Sequence, residues 1–220
     1  MRNTRSERAP ASTAGQGRLP ARLLALTAVA AGADAVSYLG LGQVFPANMT
    51  GNTVLLAIGL STGSGGDAAR AGVALGGFVT GAVLAGAVAG GAGRGDDARR
   101  WTRATTASLT VEALVLAAFT GWWIAAGPHP AGGVRYGLIA LVSLAMGGQS
   151  ATVTRLGAGV STTYITGTWT AVSSWVGGRL HPARRSGDPV RPQPRLQIAV
   201  LICYLGAALL AGWAYHAATG

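Results

Sequence analysis

The chain has 220 residues, of which 50% are hydrophobic, 35 are glycine and only 11% are charged. Soluble domains carry about 25% charged residues, so a soluble globular fold is excluded. The 17 basic residues, all arginine, give a net charge of +10. They cluster in the N-terminal tail and between apolar runs, which reads as membrane topology signal, and no nucleic-acid partner is expected.

Residues 1–20 are rich in Arg, Ser, Ala and Gly and read as a disordered tail. Residues 21–218 read as one transmembrane domain. The first apolar segment, 21–45, contains Asp34. Ala33-Asp34-Ala35 mimics a signal-peptide cleavage site, but the run continues to Phe45 and is long enough to span, so it is read as retained. The second segment, 48–62, is short and opens with the polar cluster Asn48-Met49-Thr50-Gly51-Asn52. The third, 71–93, carries the pairs Gly72/Gly76, Gly77/Gly81 and Gly86/Gly90. This spacing lets helices approach closely in lipid, so the segment is read as a packing element. The fourth, 104–126, contains Glu112, near enough to a basic connection to snorkel toward the interface. The fifth is 135–155, and the sixth, 160–178, is short and dense in hydroxyls. A basic, proline-rich connector at 179–195 leads to the seventh, 196–218. Long apolar runs with self-satisfied backbones predict an all-α, polytopic transmembrane helix bundle of five to seven membrane segments.

Arginine placement discriminates between topologies. If all seven segments cross, the arginines divide 12 to 5 between the two sides. If the second and sixth dip in and return, the division is 15 to 2, with only Arg70 and Arg135 on the poorer side. The positive-inside rule favours the second arrangement, with the N-terminus cytoplasmic. It also gathers Trp122, Trp123, Tyr136, Trp213 and Tyr215 at the outer interface, where amphipathic rings belong.

The chain reads as two copies of a three-segment unit, repeat A at 21–93 and repeat B at 135–218, joined by a linker helix at 104–126. Thr27, Asp34 and Tyr38 lie on one helical face and align with Ser143, Ser150 and Thr154. Thr50-Gly51 aligns with Thr166-Gly167. Short, glycine-interrupted segments in matching positions are a pattern of secondary transporters, where broken helix ends line a midplane site.

The stretch GADAVSYLGLGQVFPANMTGNTVLL resembles the signature of the YoaK-type bacterial membrane proteins, a family of unknown function. The residues carrying the resemblance are Gly32, Asp34, Ala35, Tyr38 and Leu39, then Asn48, Thr50, Gly51 and Asn52, with a family-like Thr166-Gly167-Thr168 preceded by Tyr164. It covers about residues 21 to 218. It implies a multi-pass protein of the bacterial inner membrane and leaves the activity open.

A carboxylate at membrane depth is costly, so Asp34 is expected to face protein or water. It is a candidate proton-coupling or cation-coordinating group, or a hydrogen-bonded lock between helices. Tyr38, Asn48, Thr50, Gly51, Asn52, Ser150, Tyr164, Thr166, Gly167 and Thr168 are candidates to line a solute site, or to cap short helices and hold them to their neighbours. Glu112 is a secondary candidate. No metal-ligand pattern, nucleotide loop or catalytic set occurs, so no cofactor and no enzyme activity are expected. Two functions remain open: a small-solute transporter or permease, and a non-transporting partner-binding or assembly factor. The bilayer is the expected surrounding, and a small molecule or ion the expected solute.

Overall fold

A computed structural model of the chain describes residues 19–89, 101–156, 165–180 and 194–220. The N-terminal tail, Tyr164 and most of the 179–195 connector lie outside the described residues. The described residues form seven helices: α1 (Leu19–Gly40), α2 (Met49–Ser61), α3 (Gly65–Ala89), α4 (Arg103–Ala126), α5 (Gly132–Arg155), α6 (Ile165–Leu180) and α7 (Pro194–Thr219). Five of them, α1, α3, α4, α5 and α7, are long and apolar enough to cross a membrane. At 13 residues, α2 is too short to cross a core of about 30 Å at 1.5 Å rise per residue.

Local chemistry sets several boundaries. Asn48 caps α2, its side chain accepting from the Gly51 N–H. Thr102 and Thr105 form a reciprocal capping box at the start of α4. Gly127, at φ 84°, ends α4 just before Pro128. The first apolar run departs from its sequence reading. Helix α1 stops at Gly40, because Gly42 (φ 93°) and Gln43 (φ 64°) take left-handed conformations and turn the chain back on itself.

Contacts give the helix directions. Arg22 lies over the Trp101 ring, and the Leu26 carbonyl accepts from Gln149. The starts of α1 and α4 and the end of α5 therefore share one end of the bundle. Gly40 packs on Trp123 and Tyr215, so the ends of α1, α4 and α7 share the other. Alongside α5, α3 runs parallel: Gly77 faces Ala140 and Ser143, Gly81 faces Leu144, and Arg155 donates to the Gly86 carbonyl. Thus α1, α4 and α7 run one way, and α3 and α5 the other. Both α2 and α6 return the chain to the end it left. Arg22, Arg103, Arg155 and Arg195 share one end, and Arg70 and Arg135 the opposite one.

The tightest packing is between α3 and α5. A Cβ at Gly81 would overlap the Leu144 carbonyl, and one at Gly147 would overlap that of Phe78. The Gly77/Gly81 pair therefore serves the close approach expected of it, whereas Gly72 and Gly76 face open space. The α1–α2 connection contributes Leu41, Val44 and Ala47 to the same core as Ala74, Leu138 and Met146.

Candidate functional site

Asp34 lies six residues before the end of α1, about 9 Å below it at the helical rise. The 41–48 connection folds back to that depth. Asp34 Oδ1 accepts from the Ala47 N–H at 2.7 Å, and Oδ2 accepts from the Tyr204 hydroxyl of α7 at 2.8 Å. The residue is buried, and both carboxylate oxygens have partners. One acid thus ties α1, the α1–α2 connection and α7 together.

Two further side chains secure this connection. The Asn52 amide donates to the Phe45 carbonyl at 2.7 Å and accepts from the Phe45 N–H at 3.0 Å, satisfying both backbone groups of one residue. Arg70 of α3 donates to the Gly42 carbonyl at 3.0 Å and is ion-paired with Asp67. Irregular backbone survives at membrane depth only where protein or water satisfies it, and Asp34, Asn52 and Arg70 do so here. Gly51 fits against the Phe45 ring, where a Cβ would come within 3.1 Å, and Tyr38 stacks on the same ring at 5.1 Å between centroids.

The predicted residues therefore divide. Asp34, Asn48, Gly51 and Asn52 meet around the 41–48 connection. Tyr38 is 41% exposed despite sharing a helical face with Asp34. Thr50 is exposed as well. On α5, Ser150 is half-buried, and its carbonyl accepts from Thr154. Thr166, Gly167 and Thr168 lie on α6, which packs against α7; Thr168 is buried and Thr166 exposed. The hydrogen bonds of Asp34 run to the α1–α2 connection and α7, not to α6.

Glu112 does not snorkel. It is buried, and Oε1 accepts from Gln149 Nε2 at 2.9 Å. The same amide nitrogen donates to the Leu26 carbonyl at 3.3 Å. An amide bridge at this depth outcompetes the interface, because it keeps the acid solvated without stretching its side chain. Glu112 Oε2 and Gln149 Oε1 have no hydrogen-bond partner. Beside Glu112 is a cleft of about 170 Å³ between α3 and α4, floored by α5.

Sequence reasoning missed Gln149 and Tyr204. Each was legible as a polar group within an apolar run, the same signal that marked Asp34. Gln149 directly precedes Ser150, which the repeat alignment had singled out in its place.

The comparisons with known proteins agree with this architecture. A family described as "Protein of unknown function (DUF1275)" matches residues 22–220. The UPF0700 transmembrane protein YoaK of Bacillus subtilis (strain 168) is 32% identical over 191 residues, covering 86% of this chain and 81% of that protein. No solved structure matches. A match running from the first helix to the last residue, around the Asp34-centred connection, assigns the chain to the DUF1275 family of membrane proteins.

Proposed function

We propose that this protein is a small-solute transporter of the bacterial inner membrane, with its N-terminus in the cytoplasm and Asp34 as its coupling acid. The observation that carries the reading is the shared use of one buried carboxylate: the same group holds the Ala47 N–H of a broken-helix connection and the Tyr204 hydroxyl of α7. A change of protonation at Asp34 would reverse the hydrogen bond with Tyr204, since a carboxylic acid donates where a carboxylate accepts. That would loosen or tighten α7 against the connection.

The helix directions support an inverted repeat. The unit α1–α2–α3 and the unit α5–α6–α7 run in opposite senses, with α4 between them. The α1–α7 contact is the counterpart of the α3–α5 contact under that exchange. Inverted halves with a short helix in each are the arrangement by which rocking exposes a central site alternately to the two sides. The arginine-rich end supports the cytoplasmic assignment.

The alternative, a non-transporting membrane factor, is favoured by one observation: both oxygens of Asp34 are already engaged, and Asn48 and Asn52 serve the connection itself. Proteoliposomes holding a pH-sensitive dye separate the readings. They are challenged with a panel of amino acids, sugars, carboxylic acids and nucleobases. The transporter reading expects at least one class to drive proton movement in the wild type and none to do so in Asp34→Asn. If no class moves protons in the wild type, coupling through Asp34 is wrong. Flux that is identical in the variant removes the role of the acid.

A further inference from the structure

We propose that the cleft between α3 and α4 is a binding site for a small lipophilic amine entering from the lipid, with its nitrogen on Glu112 and its apolar body against the cleft walls. The site is separate from Asp34 and does not rest on the transporter reading.

The cleft exists because α3 and α4 both pack on α5 while touching each other little. Its walls include Leu84, Val88, Val111 and Val115, and its floor is Leu144, Ala145 and Gly148. Leu84, Val88 and Val111 are exposed, so the opening faces the bilayer. Two polar residues line it, Glu112 and Ser108. Its volume of about 170 Å³ compares with about 150 Å³ for an apolar cavity that holds benzene, which fixes the scale of the occupant at six to eight heavy atoms, roughly.

Hydrogen counting sets the chemistry of the occupant. Gln149 has two amide hydrogens, and both are engaged, one by Glu112 Oε1 and one by the Leu26 carbonyl. The Thr152 hydroxyl donates to the Gly148 carbonyl at 2.8 Å. Ser108 lies 2.9 Å from that hydroxyl and must therefore be the donor between them. With the Glu112 proton passed to the amine, what remains beside the cleft is acceptor capacity alone: Glu112 Oε2, which has no partner and lies just beneath the lining, and the lone pairs of Ser108. Behind them, Gln149 Oε1 is a further acceptor without a donor. A carboxylate or ketone ligand would add acceptors to acceptors. A calcium or magnesium ion would meet apolar walls where it needs about six or more oxygens. An ammonium supplies several donors and the opposite charge, and an alkyl or aryl body fills the rest. Arg155 stays at the bundle end on the Gly86 carbonyl, and the ion pair found among the described residues is Arg70–Asp67, so no basic side chain among the described residues neutralises Glu112.

The test is calorimetric titration of the full chain in detergent micelles with hexylamine, hexanol and hexanoate, which share a tail and differ in the head group. A hydrogen bond to a charged group contributes about 1.5–3 kcal/mol, so hexylamine should bind about tenfold or more tightly than hexanol, with hexanoate weakest. Glu112→Gln should bring the amine to the level of the alcohol. Gly148→Leu fills the cleft floor from a position where a Cβ meets nothing closer than 3.8 Å, and it should abolish binding of all three ligands. The proposal fails if hexylamine binds no better than hexanol, if Glu112→Gln keeps the preference, or if Gly148→Leu binds the amine undiminished.

Discussion

The two acids buried among the described residues, Asp34 and Glu112, have opposite surroundings. Asp34 has a donor on each oxygen, one from backbone and one from α7. Glu112 has a donor on one oxygen only, and it borders a cleft. Asp34 sits in the third of its helix nearest the arginine-poor end, and Glu112 is in the half of its helix nearest the arginine-rich end. A fully satisfied acid holds a structure together. A half-satisfied one beside empty space leaves room for a ligand. The contrast teaches that burial alone does not separate a carboxylate that ties helices together from one that leaves room for a ligand; the count of unmet hydrogen bonds does.

Substitutions can break this contrast, and the largest effect is expected at Asp34. In Asp34→Ala the Ala47 N–H and the Tyr204 hydroxyl lose their acceptor, and two orphaned donors at about 1–3 kcal/mol each predict a loss of about 2–6 kcal/mol. Thermal unfolding in detergent measures it, and a loss below about 1 kcal/mol would mean that the acid does not hold the connection. Asn52→Ala comes next, since it strips the Phe45 N–H of its partner and leaves the Phe45 carbonyl only the longer bond from the Asn48 N–H at 3.3 Å; the expected cost is about 2–3 kcal/mol in the same assay. Tyr204→Phe removes one hydrogen bond to Asp34 and leaves the other, with an expected cost of about 1.5–2 kcal/mol. The smallest change is expected for Glu112→Gln, because the amide keeps the acceptor facing Gln149 while the charge is removed; stability should stay within about 1 kcal/mol of wild type or rise. If Glu112→Gln destabilises as much as Asp34→Ala, the two acids are equivalent and the contrast is lost.

Much of the architecture was legible because bilayer constraints act on sequence directly. Apolar run lengths marked the five long helices, and arginine counts pointed to an arrangement in which the second and sixth segments return. The fold-back at 41–48 was not legible as such, because Leu41 to Phe45 are as apolar as the helix before them and only the left-handed Gly42 and Gln43 break it. Within the candidate set, Asn48-Met49-Thr50-Gly51-Asn52 pointed to the right place. It could not say that Asn52 faces Phe45 while Thr50 faces outward, since alternation around a short helix is decided by what it packs on. The partners of the acids were hidden for a related reason. Tyr204 is 170 residues from Asp34, and Gln149 is 37 from Glu112.

The sequence by itself determined that this chain lives in a membrane, that five to seven segments are candidates to cross it, and that an acid and an asparagine cluster mark the first break. Those properties follow from the transfer energy of each segment, which depends on composition and length. Only the tertiary structure decided which acid is satisfied and which is not. That depends on donors brought from other helices, and helix packing through glycine contacts such as Gly81 on Leu144 and Gly147 on Phe78 sets where those donors arrive.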